Sequence, residues 1–163
     1  MSSTGTTKTI ASEAVTIRSV QEADMVHVIA LDERITGLAK ANYWSDIYHR
    51  YTQSRAEERF FFVAASREPA NEAEILGFII GEIRAWEFGS APCGWVFALS
   101  VDPGVRLHGV GHALFEAISD EFKKAGLSKM RTMVARDNQL HSLFFRGEGM
   151  MAGPYIQLEK DLS

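Results

Sequence analysis

The sequence lacks the residues from which a disulfide-bonded, multi-cysteine or membrane-spanning protein is built. Its 163 residues include one cysteine, Cys93, which excludes an internal disulfide and a metal site made of several cysteines. We interpret Cys93 as a partly buried apolar residue rather than a nucleophile. No apolar run is long enough to cross a membrane, and the first ten residues lack the apolar core of a secretion signal. We therefore expect a cytoplasmic protein without a membrane partner.

Basic residues are also scarce. The chain has 17 Lys and Arg against 21 Asp and Glu, and its formal net charge is −4. Binding nucleic acid through bulk charge needs a positive excess, so we expect no nucleic-acid partner. His27, His49 and His141 show no metal-ligand spacing with one another or with Cys93, so we expect no metal ion.

The rest of the composition is that of an ordinary globular protein. Hydrophobic residues make up 46% of the chain and charged residues 23%, and the length is sufficient to bury a core. Residues 1–13 are rich in Ser and Thr and lack apolar periodicity, which predicts a flexible tail. Residues 14–163 show no internal repeat and no second boundary, so we expect them to form one domain.

One run combines a strand, a glycine turn and a helix start. The apolar segment before Asp102 predicts a strand, and the helical apolar spacing from Leu114 onwards predicts a helix. Between them lie Arg106, Gly109 and Gly111. The first N–H groups of a helix have no internal acceptor, and glycine lets a phosphate approach them closely. The run therefore predicts a phosphate site, the alternative being an ordinary strand-to-helix turn.

The other segments predict an α/β fold with a mixed sheet rather than a doubly wound parallel one. Gly77 and Gly81 lie inside one predicted strand and indicate a bulge or a close backbone approach. The glycine turn follows several strands, which counts against a dinucleotide-binding fold. A break near Gly37 separates two helices, and Gly126 is a predicted helix end. Strands are predicted at 14–20, 59–65, 74–86, 95–101, 129–135 and 155–160. Later helices are predicted from the glycine turn through Leu114 to about 124–126, and at 138–146.

These features resemble the GNAT superfamily of acyl-CoA-dependent N-acetyltransferases. The family signature is Val-Asp-Pro at a strand end and then Arg/Gln-x-x-Gly-x-Gly/Ala, which here reads Val101-Asp102-Pro103 and Arg106-Leu107-His108-Gly109-Val110-Gly111. A second element, Asn138 to Phe145 followed by Gly149-Met150, also fits. The resemblance extends from about Val15 to Leu162. It implies a mostly antiparallel mixed sheet with helices on both faces and a splayed parallel strand pair.

The resemblance also implies a site for acetyl-CoA between the strand that ends at Val101 and the strand at 129–135. Backbone groups of Leu99 and Val101 would pair with the pantetheine arm, and a backbone N–H near a bulge at Leu99–Val101 would hold the oxyanion. The N–H groups from 107 to 113 would hold the pyrophosphate. The expected cofactor residues are Leu99, Ser100, Val101, Arg106, Leu107, His108, Gly109, Val110, Gly111, His112, Ala113, Asn138, Phe144 and Phe145.

One position departs from the family pattern. Many members have a tyrosine seven residues after the asparagine, where its hydroxyl can protonate the departing thiolate; here that residue is Phe145. A phenyl ring donates no proton, so the thiolate leaves unassisted, another acid acts, or turnover is poor. Tyr155 is a candidate substitute, with core or dimer packing as the alternative. A thiol with a pKa near ~8.5 is a tolerable leaving group at neutral pH.

Acetylation of an amine requires its neutral form, and a carboxylate can take the proton. Glu82 is the first candidate for this base and Glu87 the second, with a solvated residue on the outer sheet face as the alternative for each. Tyr43 and Trp44, on the second predicted helix, are candidates for the wall of an acceptor pocket, with simple helix packing as the alternative.

The leading hypothesis is transfer of an acetyl group from acetyl-CoA to a primary amine in a ternary complex, without a metal. The acceptor is a small molecule or a peptide, and the sequence does not decide between them. It also does not decide whether the protein forms a homodimer. The alternative is a regulatory module that binds CoA with little turnover. An ATP-dependent enzyme is disfavoured because the Lys-Ser/Thr end of a P-loop is absent after Gly111.

Overall fold

The chain divides into two compact units, Met1–Thr132 and Met133–Ser163. The computed structural model describes residues 15–68 and 74–163, with side chains omitted at 106–108. The tail predicted at 1–13 lies outside the described residues, and a single domain over 14–163 stays a prediction. In the described ranges, no helix is long and apolar enough to cross a membrane.

The first unit is built on a five-stranded sheet whose strands follow one another in chain order. Neighbouring strands are antiparallel except for the last pair, which is parallel. This confirms the predicted mixed sheet, although the last strand is shorter than the predicted 129–135. The strands are β1 Val15–Ser19, β2 Arg59–Ser66, β3 Ile75–Arg84, β4 Cys93–Val101 and β5 Met130–Thr132.

Two helices connect β1 to β2 and cover one face of the sheet. After a 3-10 turn at Glu22–Asp24, α1 spans Met25–Thr36 and α2 spans Ala41–Thr52. Gly37, at φ 74°, ends α1, as the sequence predicted. A residue without a Cβ tolerates this left-handed conformation best, so the chain turns here. The buried cluster between helices and sheet includes Val28, Leu31, Trp44, Ile47, Phe61, Phe78 and Ile80.

The third helix, α3 Val110–Lys124, packs on the opposite face of the sheet, against glycines. A Cβ at Gly77 would lie 3.1 Å from Leu114 Cδ1, and one at Gly81 would lie 2.7 Å from Ile118 Cδ1. A Cβ at Gly94 would overlap the Phe122 ring. Because only glycine leaves this space, α3 lies directly on the backbone of β3 and β4. The close approach predicted from the glycines of β3 is confirmed.

The second unit contains one helix, α4 Gln139–Gly147, close to the predicted 138–146. The strand predicted at 155–160 is wrong, because these residues form no strand. Ile156 and Leu158 are each 84% exposed. Their alternation with polar residues is typical of a strand, but a strand exists only where its backbone finds a partner, which local sequence does not specify.

Gly94 provides a test of the packing between α3 and the sheet. We expect Gly94→Ala to lower the free energy of unfolding by about 1–3 kcal/mol, because the added methyl forces the rigid Phe122 ring to move. Gly147→Ala is the matched control, since nothing lies within 4 Å of the place that its added Cβ would occupy. Urea unfolding measures both, and equal stability of Gly94→Ala and the wild type would contradict the packing.

Candidate functional site

An extra residue in β4 interrupts its pairing with β3. The register shifts between Ile80 and Gly81 of β3, which leaves Phe97 of β4 without a counterpart. A bulge of this kind bends its strand and increases the local twist. The bulge was expected near Leu99–Val101; it lies at Phe97 instead, because the position of an extra residue depends on the register of both strands.

β4 is paired on both sides only at its beginning. Its ladder with β5 has three pairs, the last of which joins Val96 to Thr132. The Thr132 hydroxyl also donates to the Val96 carbonyl, at 2.8 Å. The ladder with β3 continues to Val101, opposite Gly77. The parallel pair is therefore paired only before the bulge, in agreement with the splay that the family resemblance implied.

Asp102 organises the turn that follows β4. One carboxylate oxygen accepts the N–H of Gly104 at 2.8 Å, and the other accepts Arg34 Nη2 at 2.8 Å. The turn itself is the 3-10 segment Pro103–His108. The first interaction is an N-terminal cap, and the second joins the end of α1 to this turn. The turn is thus held from two sides at the start of the predicted phosphate site.

The helix after this turn begins at Val110. Gly109 precedes it in the left-handed conformation, at φ 78°. The Ala113 N–H already donates to the Gly109 carbonyl at 3.1 Å. Val110 and Gly111, two of the predicted pyrophosphate donors, lie in the first turn, where helix geometry provides no acceptor within the helix. This region therefore has the geometry of an anion site at a helix N-terminus.

The other predicted cofactor residues in the first unit lie on β4 and α3. Leu99 is 8% exposed, and Ser100 and Val101 are partly buried. His112 Nε2 lies 3.2 Å from Glu116 Oε1 on the next turn of the helix. The side chains of 106–108 lie outside the description, so the charge of Arg106 at this turn stays a prediction from the sequence.

The predicted cofactor residues of the second unit surround the start and the interior of α4. Asn138 caps the helix by accepting the His141 N–H at 3.0 Å. Phe144 and Phe145 are in edge-to-face contact, with ring centroids 5.3 Å apart. Phe145 is 5% exposed. Asn138 thus has a structural role as a helix cap, and the family's tyrosine position holds a buried phenyl ring.

The two predicted acceptor residues occupy different environments. Trp44 is 3% exposed, and its indole N–H donates to Asp32 Oδ2 at 2.9 Å. Lys40 Nζ lies 2.8 Å from the same oxygen. Trp44 is therefore a core residue that fastens α2 to α1. Tyr43 is 45% exposed, so of the pair it alone presents substantial surface to an acceptor.

Glu82 lies within a cluster of charged and aromatic side chains beside the bulge, here called the arginine–glutamate cluster. Its carboxylate is 3.2 Å from Arg84 Nε and 3.7 Å from Arg59 Nε. The Tyr51 phenol lies close enough to the same carboxylate to interact with it electrostatically. Because Tyr51 belongs to α2, Glu82 points to the face covered by α1 and α2 rather than to an outer solvated face.

Glu87, the second candidate base, is more loosely held. Its carboxylate is half-exposed and lies 3.9 Å from Arg84 Nε. It belongs to the loop between β3 and β4, where Trp86 and Phe88 adopt positive φ angles of 61° and 48°. Both aromatic residues are exposed, so Glu87 lies at the solvent end of the cluster.

Sequence reasoning missed Tyr51, Arg59 and Arg84 as site residues. Arg84 follows Glu82 by two positions on one strand, a spacing that places both on one face. This spacing was visible in the sequence, but the glycines of β3 left undetermined which side chains of the strand lie on which face of the sheet. Tyr51 and Arg59 reach Glu82 from other elements, and no local pattern contains that contact.

Tyr51 provides a test of the cluster. Burial, together with the neighbouring Glu82 carboxylate, raises the pKa of the Tyr51 phenol well above its ordinary value. The folded state therefore holds this proton more tightly than the unfolded state, where the phenol has a pKa near ~10. The resulting stabilisation is present below pH ~10 and is lost above it, by up to about 1.4 kcal/mol per pH unit.

We therefore expect the free energy of unfolding to fall as the pH rises above ~10, and to fall less steeply in Tyr51→Phe. Urea unfolding at several pH values measures both slopes. Identical slopes in the two proteins would show that Tyr51 titrates alike in the folded and unfolded states.

The sequence matches the acetyltransferase (GNAT) family over residues 18–146, more than three quarters of the chain. No curated protein matches it. The match begins within β1 and ends within α4, so it includes the bulge, the phosphate turn and the arginine–glutamate cluster.

Solved structures share the fold at low sequence identity. An aminoglycoside N-acetyltransferase, AAC(6')-Iy, in complex with CoA superposes with a TM-score of 0.76 at 16% identity, over 91% of this chain and 95% of that one. An aminoglycoside 6'-N-acetyltransferase from Acinetobacter baumannii gives 0.74 at 16% identity, over 91% and 99%. Glucosamine-6-phosphate N-acetyltransferase from Arabidopsis thaliana gives 0.70 at 19% identity, over 91% and 99%. With the family match over most of its length, the chain belongs to the GNAT acetyltransferase family.

Proposed function

We propose that the protein transfers an acetyl group from acetyl-CoA to the primary amine of a small molecule, by direct attack in a ternary complex. Membership of the acetyltransferase family supports acetyl-CoA as the donor. The observation that carries the proposal is the bulge at Phe97, at which β4 loses its partner β5 while a helix N-terminus follows its far end. A strand edge next to an anion site suits a ligand with a peptide-like arm and a pyrophosphate.

The donor would lie along β4 beyond the bulge. The amide groups of the pantetheine arm would pair with the backbone of Leu99 to Val101, as an added strand does. The pyrophosphate would lie at the start of α3, against the N–H groups of Val110 and Gly111. This arrangement leads the thioester towards the bulge, where a backbone N–H can hold the oxyanion.

The amine must lose a proton before or during the attack. A free alkylamine has a pKa near ~10.4, so most of it is protonated at neutral pH. Glu82 is the candidate base, because its carboxylate lies one residue pair from the bulge and is held in place by two arginines. Glu87 stays the second candidate.

In the transfer itself the amine nitrogen attacks the thioester carbonyl carbon. The carbon–sulfur bond breaks, the electron pair goes to the CoA sulfur, and the amine proton goes to the carboxylate or to water. Phe145 supplies no proton to the thiolate, so we propose that it leaves as the anion and is protonated by solvent.

The alternative function is a CoA-binding module with little turnover. The buried phenyl ring of Phe145 favours it, because that position lacks the acid found in many relatives. Incubation with acetyl-CoA and a panel of amines, followed by measurement of free thiol, separates the two functions. We expect thiol release that depends on the amine; CoA binding without release from any amine would support the module.

Gly111 tests the phosphate site. We expect Gly111→Val to weaken CoA binding at least tenfold, which corresponds to about 1.4 kcal/mol, because its side chain would block approach to the first helical turn. Gly153→Val is the control, since a Cβ at that position would have no neighbour within 4 Å. Calorimetry measures the affinities and circular dichroism verifies folding; unchanged affinity in a folded Gly111→Val would refute this placement of the pyrophosphate.

Glu82 tests the proton transfer. We expect Glu82→Gln to lower kcat/KM by about 10²-fold at pH 6.5 and to recover towards the wild type as the pH approaches ~10, where the free amine is abundant. Glu87→Gln is the matched control and should stay within twofold. A pH profile of Glu82→Gln parallel to that of the wild type would remove Glu82 as the base, and a loss in Glu87→Gln instead would assign the role to Glu87.

A further inference from the structure

The arginine–glutamate cluster lies on three adjacent strands at one level of the sheet. Arg59, Glu82 and Trp95 are direct cross-strand partners on β2, β3 and β4. Arg84 is two residues further along β3 and therefore on the same face. The bulge at Phe97 follows Trp95 by two residues. Any amine that reaches a thioester at the bulge would thus lie near two guanidinium groups.

Aromatic rings hold both guanidinium groups in place. Arg84 Cζ lies 4.7 Å from the centroid of the Trp95 ring, and Arg59 Cζ lies 5.4 Å from that of Tyr51. Their side chains are 34% and 20% exposed. Stacking on a ring fixes the plane of a guanidinium and removes part of its hydration, which prepares it to bind an oxyanion.

The arginines retain hydrogen-bond donors that the carboxylates do not use. Arg84 approaches both Glu82 and Glu87 through Nε, at 3.2 Å and 3.9 Å. Within the described residues its Nη1 and Nη2 atoms have no hydrogen-bond acceptor. Arg59 donates to the Arg50 carbonyl through Nη1, at 2.9 Å. The outer edge of Arg84 is the pair of N–H groups that a carboxylate or phosphate binds in a bidentate manner.

The charges in the cluster determine which kind of amine it can bind. Glu82 and Glu87 offset the charges of Arg59 and Arg84, so the cluster has no net negative charge with which to attract a polycation. An amine with its own anionic group would bind the unused donors of Arg84 through that group, and its amino group would then lie beside the Glu82 carboxylate. The cluster thus suits an acceptor whose opposite charges are close together.

We propose that the acceptor is a small amine that carries a carboxylate or phosphate near the amino group, and that Arg84, supported by Arg59, binds this anionic group. The inference rests on the proposed acetyl transfer and names its substrate class. It sets this chain apart from those structural relatives whose acceptors are aminoglycosides.

Matched pairs of amines test the substrate class. Thiol release from acetyl-CoA is measured with glycine against glycinamide, glucosamine 6-phosphate against glucosamine, and an aminoglycoside. We expect kcat/KM to be at least tenfold higher for the anionic member of one pair or both, and lowest for the aminoglycoside. Turnover of neutral amines or the aminoglycoside at equal or higher kcat/KM would overturn the proposal and leave acetyl transfer standing.

Variants test whether Arg84 causes the preference for anionic amines. We expect Arg84→Gln to reduce the preference for the anionic member at least fivefold, mainly through KM. Arg55→Gln is the control, because Arg55 is 70% exposed and pairs only with Glu58 among the described residues. An unchanged preference in Arg84→Gln would refute its assignment to the anionic group.

Measuring the binding of amines tests the proposed anion site independently of acetyl transfer. Calorimetric titration of the protein saturated with CoA needs no turnover, and it should show at least tenfold tighter binding of the preferred anionic amine than of its neutral match. If no amine releases thiol but this difference is present and is lost in Arg84→Gln, the transfer fails and the anion site stands. Equal binding of both members, or none of either, overturns the site.

Discussion

The geometry of the candidate site depends on one extra residue in β4. Phe97 has no counterpart on β3, so the strand bends where its ladder with β5 ends. Packing on the opposite face of the sheet holds the bend in place. Gly81 lies at the register shift, and its lack of a side chain lets α3 pack directly on the sheet there. Because packing at native density resists displacement, the bulge cannot slide along the strand. The bulge, the strand edge beyond it and the helix that follows therefore keep fixed positions relative to one another.

The charged groups beside the bulge would divide between the two ends of the proposed acceptor. Glu82 would accept the proton of the amine. Arg84 would bind the acceptor's anionic group through the donors that Glu82 and Glu87 do not use. The substrate class thus follows from the same charges that would assist the chemistry.

Sequence predicted the parts of the fold that depend on local pattern. Gly37 and Gly109 adopt the left-handed conformations that end and begin helices, and the glycines of β3 lie where α3 contacts the sheet. Contacts between distant segments were not predictable in this way. The interaction of Tyr51 with Glu82 joins α2 to β3, and the core position of Trp44 depends on Asp32 of another helix. The final segment has the alternation of a strand, but its pairing is not encoded locally.

The proposed acetyl transfer requires CoA to bind along β4 beyond the bulge and against the start of α3. Backbone amide NMR during a CoA titration tests it most directly. We expect the amide shifts to concentrate at Leu99–Val101 and Gly109–Ala113 and to spare β1. Saturable binding that leaves both segments unperturbed while moving amides elsewhere would contradict it.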